Sequence, residues 1–69
     1  MKPAKLITDN GRLIDSAGYV LTTGVQVLAW DDGCVVIGST LHRPRDIRLA
    51  DGAIESLAFG WRVTWEAAR

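Results

Sequence analysis

Apolar and polar side chains alternate most regularly near the carboxyl end of the chain. In WRVTWE, residues 61–66, every second side chain is apolar, starting at Trp61 and ending at Trp65. An alternation with a period of two predicts a strand with one buried and one solvated face. We therefore predict a strand over 61–66 whose two tryptophans anchor the core.

Short turn signals divide the rest of the chain into pieces of strand length. They are Asp9-Asn10-Gly11, Ser16-Ala17-Gly18, Thr23-Gly24, Asp32-Gly33, Asp51-Gly52 and Gly60. Asn-Gly or Asp-Gly between apolar runs is a strong hairpin signal. The strands predicted between these turns are Lys5–Thr8, Arg12–Asp15, Tyr19–Thr22, Val25–Trp30, Cys34–Ser39, Asp46–Leu49 and Trp61–Glu66. We predict one all-β domain over 1–69, a small antiparallel meander that forms a barrel or sandwich of roughly five to seven strands.

One segment fits two kinds of structure. In DGAIESLAFG, Asp51 is a suitable helix cap and Gly60 a suitable helix end, and the apolar residues between them fall on one helical stripe. A helix this short forms only when it packs on a sheet. The sequence therefore leaves 52–59 open between a strand and one or two helical turns.

The segment QVLAWDDGCVVIG, residues 26–38, is apolar on both sides. Val27 and Leu28 point to opposite faces, and residues 34–37 are also apolar on both faces. Strands of this kind are normally covered on both sides, yet a chain of this size buries only about 60% of its surface. We expect a homo-oligomer or a protein partner to cover the second face. The alternative is a strongly twisted barrel that leaves Leu28 or Trp30 as isolated surface residues.

An arginine-rich segment, LHRPRDIR, follows this hairpin. Pro44 disfavours a regular ladder, so the segment is predicted to be an exposed loop whose arginines can bind phosphates or carboxylates. The alternative is a solvated loop in which Asp46 and neighbouring carboxylates pair with the arginines at little net energy. The predicted partner-binding site combines the apolar face with this loop: Leu28, Trp30, Val35, Ile37, Arg43, Arg45 and Arg48.

Composition and charge narrow the classes of partner. Hydrophobic residues make up 48% of the 69 residues, and eight basic side chains balance eight acidic ones. A net charge of zero weakens the case for nucleic acid, because no overall positive field attracts phosphates. No apolar run reaches the length of a membrane span, and the amino terminus lacks the apolar core of a secretion signal. With Cys34 as its single cysteine, the chain is expected in the cytoplasm.

The chemistry-bearing residues are few. His42 and Cys34 have no neighbours at metal-ligand spacing, so neither a metal nor another cofactor is predicted. A Cys34–His42 nucleophilic pair requires the loop to fold back, and a small apolar role for Cys34 is the simpler interpretation. The adjacent Asp31 and Asp32 are interpreted as the polar tip of a hairpin. We predict that the protein is not an enzyme.

The stretch DDGCVVIGST, residues 31–40, resembles a hairpin of the ring-forming tryptophan-operon RNA-binding attenuation proteins. The residues that carry the resemblance are Asp32, Gly33, Val36, Ile37, Gly38 and Thr40. It implies one way in which a short chain covers two apolar faces, namely a ring closed by contacts between unlike surfaces. This sequence lacks the family's lysine-rich RNA-contacting strands, so no ligand-binding or RNA-binding residue is carried over.

Two functions remain from the sequence. The first is a non-enzymatic protein-binding or assembly module, such as a small inhibitor, adaptor or structural subunit of the kind that bacteria and their viruses encode. The second is a nucleic-acid-binding protein in which the arginine loop is repeated around a homo-oligomer. Zero net charge and the excess of apolar strand surface favour the first.

Overall fold

The structure of the protein, a computed structural model that describes residues 4–66, is one antiparallel sheet of seven strands. The sheet forms a nearly closed barrel. In chain order, the strands are β1 (Lys5–Ile14), β2 (Val20–Ala29), β3 (Val35–Ile37), β4 (Thr40–His42), β5 (Ile47–Ala50), β6 (Ala53–Ser56) and β7 (Arg62–Thr64). The all-β antiparallel fold predicted from the sequence is confirmed.

The order of strands across the sheet is β4-β3-β2-β1-β7-β6-β5. The long strand β1 lies in the middle and joins the meander β2–β4 to the meander β5–β7. The two edge strands, β4 and β5, are consecutive in the chain and are connected by a 3₁₀ turn, Pro44–Asp46. Because so short a connection links the two edges, they lie close together and the sheet curls into a barrel.

Segment 52–59, which the sequence left open, is a strand followed by a turn. Ala53–Ser56 is β6, which pairs with both β5 and β7. The Ser56 N–H then donates to the Trp61 carbonyl at 2.8 Å, and the Gly60 N–H donates to the Ser56 carbonyl at 3.1 Å. These bonds close the loop before β7, where Gly60 has a φ of 80°. Backbone hydrogen bonds to β5 and β7 stabilise 53–56 as a strand, and a short helix would not form them.

Two of the predicted turns are wrong. Asp9-Asn10-Gly11 lies inside β1, and Thr23-Gly24 lies inside β2, so four predicted short strands are two long ones. The pairing of β1 with β2 shifts register on both sides of Gly11. Glycine is typical of such bulges as well as of turns. The glycine signal therefore marks bends within strands instead of chain reversals.

The core is a small cluster of aliphatic side chains from five strands. Its buried members are Val27, Val35, Ile37, Ile47, Ile54 and Val63. Trp61 and Trp65 are half-buried and pack against this cluster. The predicted alternation is confirmed over Arg62–Thr64, but the centre of the core is occupied by Val63 and Ile54, both fully buried.

Gly11 is required by a close approach between strands. It is buried, and a Cβ atom at this position would lie 2.7 Å from Val63 Cγ1 and 3.1 Å from the Val25 carbonyl oxygen. No side chain fits there unless the core moves. The bulge in β1 therefore allows Val63 to reach the centre of the barrel.

We expect Gly11→Ala to lower the free energy of unfolding by about 1–3 kcal/mol, the usual cost of overpacking a core. Chemical denaturation followed by tryptophan fluorescence measures this change. Gln26→Ala, which truncates an exposed side chain of β2, is the control and should change the free energy by less than about 0.5 kcal/mol. Equal stability of the two variants would contradict the close approach.

Candidate functional site

The hairpin between β2 and β3 fixes which side chains face the core. The Trp30 N–H donates to the Cys34 carbonyl at 3.0 Å, and the Gly33 N–H donates to the Trp30 carbonyl at 3.1 Å. The Asp32 carboxylate accepts the Cys34 N–H at 3.0 Å, and Gly33 has a φ of 90°. The loop is therefore 31–33, one residue longer than a two-residue Asp-Gly turn.

The register of this hairpin overturns part of the predicted partner-binding face. Val35 and Ile37 are 1% and 9% exposed and belong to the core, so their assignment to an exposed face is wrong. The predicted strand ends, Trp30 and Cys34, enclose the same three-residue loop, which pairs Leu28 with Val36. The predicted face nevertheless joined Leu28 to Val35 and Ile37, which lie on the opposite side of the sheet. A shift of one residue exchanges the two faces of a strand.

Four apolar side chains form a row on the outer face of the barrel. Leu6 pairs with Leu28, Leu28 with Val36, and Val36 with Leu41, so the row crosses β1, β2, β3 and β4. Paired residues lie on the same face of a sheet, and the flanking Val27 points to the core. Leu6 and Leu41 are 50% and 58% exposed, and the two central residues are half-buried. We call this set the outer apolar row.

Trp30 lies beside the middle of the outer apolar row. It follows Leu28 by two positions and continues the ladder with Cys34, so it is on the same side of the sheet. Its side chain is half-buried. Of the four apolar residues in the predicted site, the structure therefore places Leu28 and Trp30 outside the core and the other two within it.

The arginine-rich segment forms a hydrogen-bonded turn beside the row. The Asp46 N–H donates to the Arg43 carbonyl at 2.9 Å, which closes the 3₁₀ turn. Pro44 packs against the β2–β3 loop, because a Cβ atom on Gly33 would lie 3.1 Å from Pro44 Cβ. A cleft of about 380 Å³ lies here, and we call it the arginine groove. Its lining residues are Asp32, Cys34, Leu41, Arg43, Pro44 and Arg45.

The three predicted arginines occupy two different environments. Arg43 and Arg45 are exposed, line the arginine groove and form no ion pair within residues 4–66. Arg48 lies on β5 and pairs with Glu55 of β6 at 3.7 Å. Both side chains of that pair are well exposed, so the pair contributes at most about 1 kcal/mol. Arg43 and Arg45, but not Arg48, adjoin the outer apolar row through Leu41.

The structure separates the two candidate nucleophilic residues. His42 pairs with Val35 across β3 and β4 and shares its face, whereas the neighbouring Cys34 points to the opposite face. Partial burial raises the pKa of the Cys34 thiol, and the hydrogen bond and charge of Asp32 raise it further, while Arg43 opposes the change. A raised pKa disfavours the thiolate, which is the form that acts as a nucleophile. The Cys34–His42 pair is therefore not formed.

His42 instead contributes to a cleft at the opening of the barrel. Its ring meets the Trp61 ring edge-on, with centroids 5.1 Å apart. The cleft, of about 260 Å³, is lined by Leu13, Leu21, Ile37, Thr40, His42 and Trp61. The predicted site did not include this cleft, although the alternation of Thr40 and His42 along β4 was a signal for it.

Other apolar side chains are exposed outside the row. They are Tyr19, Val20, Leu21, Leu49, Leu57 and Phe59. Tyr19, Val20 and Leu21 lie near the turn that joins β1 to β2. The turn signals on either side of them did not indicate that their side chains are exposed. They are not aligned across four neighbouring strands, which distinguishes them from the outer apolar row.

Comparison with known protein families, curated proteins and solved structures gives no match. The local resemblance of residues 31–40 to the attenuation proteins therefore identifies no family. Over 4–66, no helix is long and apolar enough to cross a membrane, and no three His, Cys, Asp or Glu side chains are grouped as metal ligands.

Substitutions on the two faces should separate core from surface. We expect Ile37→Ala to lower the free energy of unfolding by about 2–5 kcal/mol, because it empties part of the core. Leu41→Ala, one strand away on the outer face, should change it by less than about 0.5 kcal/mol. Denaturant titrations of dilute samples measure both. A larger loss for Leu41→Ala than for Ile37→Ala would contradict the register of β3 and β4.

Proposed function

We propose that the protein is a non-enzymatic protein-binding or assembly module that acts through the outer apolar row. The observation that carries this proposal is the alignment of Leu6, Leu28, Val36 and Leu41 across four strands on the face opposite the core. Neighbouring strands are about 4.8 Å apart, so the row is continuous over roughly 15 Å.

A continuous apolar row has a different meaning from scattered surface leucines. Single exposed apolar residues are normal in small proteins, whereas contiguous apolar patches mark interaction surfaces. Complete burial of one leucine side chain is worth about 1.5–3 kcal/mol. Leu6 and Leu41 are about half exposed, so covering both contributes roughly 1.5–3 kcal/mol in total. A micromolar affinity corresponds to about 8 kcal/mol, so a partner also needs contacts around the row.

The surroundings of the row supply the groups that stabilise interfaces. Trp30 lies beside Leu28 in the middle of the row, and Arg43 and Arg45 lie beside Leu41 in the arginine groove. Tryptophan and arginine are the residues most enriched among those that dominate binding energy. This arrangement supports a role as a small inhibitor, adaptor or structural subunit, and the single Cys34 supports a cytoplasmic location.

A second candidate function is binding of nucleic acid by the arginine turn repeated around an oligomer. Its supporting observation is that Arg43 and Arg45 are exposed and form no ion pair within the described residues. The carboxylate of Asp32 in the same groove and the zero net charge weigh against it.

If a fluorescent thymidine oligonucleotide binds the protein, its affinity should fall by roughly tenfold or more as the salt concentration rises from 50 to 200 mM. Apolar association should not weaken with salt.

We expect the variant Leu6→Ser with Leu41→Ser to lose binding through the row while it keeps its fold. Sedimentation equilibrium and the fluorescence of an apolar dye measure association and open apolar surface on the same samples. The wild-type protein should sediment above its monomer mass of 7.5 kDa or bind the dye, and the double variant should do neither.

The control is Leu57→Ser, which removes an equally exposed leucine outside the row. It should behave as the wild-type protein does. A wild-type protein that is monomeric and does not bind the dye at high concentration would refute the proposed function. So would a double variant that associates unchanged.

A further inference from the structure

Opposite charges flank the same end of the outer apolar row. The β2–β3 hairpin ends in the acidic tip Asp31-Asp32, and the arginine turn carries Arg43 and Arg45. Pro44 packs on the hairpin loop at Gly33, which holds the turn beside the tip. Leu41 belongs to both the row and the groove between these two features.

Asp32 and the arginines line one groove without pairing with each other. Asp32 and both arginines border the arginine groove, yet no ion pair joins them within residues 4–66. The Asp32 carboxylate accepts the Cys34 N–H, and a carboxylate has room for about four hydrogen bonds. Each guanidinium presents five donors in a planar fork. The groove can therefore form ion pairs with both positive and negative groups of another molecule.

A surface with adjacent positive and negative groups is complementary to a second copy of itself. In a two-fold interface, residue i of one copy contacts residue j of the other, and residue j contacts residue i. An axis that runs along the strands, between the acidic tip and the arginine turn, brings each tip opposite the other copy's arginines. The same axis brings Val36 and Leu41 of the two copies together. A patch with one sign of charge would repel itself in the same arrangement.

We propose that a second copy of the chain covers the end of the outer apolar row formed by Val36 and Leu41, and that Arg43 and Arg45 of each copy pair with the Asp31-Asp32 tip of the other. This inference rests on the proposed function, because the row supplies the apolar contact. The charge pairs set the orientation of the two copies, since charges across an interface determine specificity more than affinity.

Charge complementarity favours this occupant over a nucleic acid. The chain carries equal numbers of acidic and basic side chains, so two copies approach without a net repulsive field. A phosphate in the arginine groove would meet the Asp32 carboxylate on the opposite wall. The apolar floor formed by Leu41 and Pro44 fits a polypeptide surface, and no aromatic side chain among the described lining residues offers a stack for a base.

The test is an exchange of charges between two variants. One carries Arg43→Glu with Arg45→Glu, and the other carries Asp31→Lys, while Asp32 is kept because it holds the hairpin turn. Each variant alone should dimerise at least about tenfold more weakly than the wild-type protein. Mixed in equal amounts, they should form a mixed dimer, because attraction is restored at both charged contacts. Sedimentation equilibrium gives the strength of association, and native mass spectrometry identifies the mixed dimer.

A matched control reverses two arginines elsewhere. Arg12→Glu with Arg62→Glu makes the same change in net charge on exposed side chains of β1 and β7, and should not gain affinity for the Asp31→Lys variant. Circular dichroism verifies that each variant folds. If the Arg43→Glu, Arg45→Glu variant does not fold, Arg43→Gln with Arg45→Gln replaces it. This variant should dimerise less weakly than the reversed one, and in the mixture attraction should return at one of the two charged contacts.

The outcomes distinguish this inference from the proposed function. Selective formation of the mixed dimer supports the charge-paired dimer. If the wild-type protein associates and the charge variants associate equally well, the inference is overturned and the apolar row keeps its role. A monomeric wild-type protein overturns the inference as well, and the dye measurement then decides on the proposed function. Binding of the thymidine oligonucleotide that is lost with Arg43→Gln and Arg45→Gln, without dimerisation, overturns it in favour of nucleic acid.

Discussion

The register of the β2–β3 hairpin is the constraint on which the rest of the structure depends. One residue in its loop decides that Val27, Val35 and Ile37 face the core and that Leu28 and Val36 face outward. Because the two faces of a strand exchange with each single step, no intermediate arrangement exists. The same register therefore determines both the barrel's core and the surface that we assign to binding.

The two apolar surfaces of the sheet have different roles. The inner one closes around Ile54 and Val63, both fully buried, and the approach of Val63 to Gly11 makes this packing tight. In our proposal, the outer one is covered by another molecule. The charged border of the outer surface depends on closure of the barrel, because the turn that carries Arg43 and Arg45 also connects the two edges of the sheet. Closing the barrel thus places the arginines beside the row.

Sequence patterns predicted the features that depend on neighbouring residues. The alternation around Val63 indicated a correct strand, the Asp32-Gly33 and Asp51-Gly52 signals marked real hairpins, and apolarity on both faces of 25–37 was correct. The glycines at positions 11 and 24 were misinterpreted, since a bulge and a turn use the same residue. The faces of Val35 and Ile37 were misassigned although the predicted strand ends, Trp30 and Cys34, enclose the three-residue loop that the structure shows. Which of two apolar faces the core covers depends on packing across the barrel, which no local pattern contains.

Contacts between copies can be observed directly by nuclear magnetic resonance on a mixture of isotope-labelled and unlabelled protein, with filters that record only intermolecular contacts. Our account predicts intermolecular contacts from the methyl groups of Val36 and Leu41. It predicts none from Ile37, whose side chain lies in the core. Intermolecular contacts from Ile37, or the absence of any from the outer row at concentrations where the protein should associate, would contradict the account.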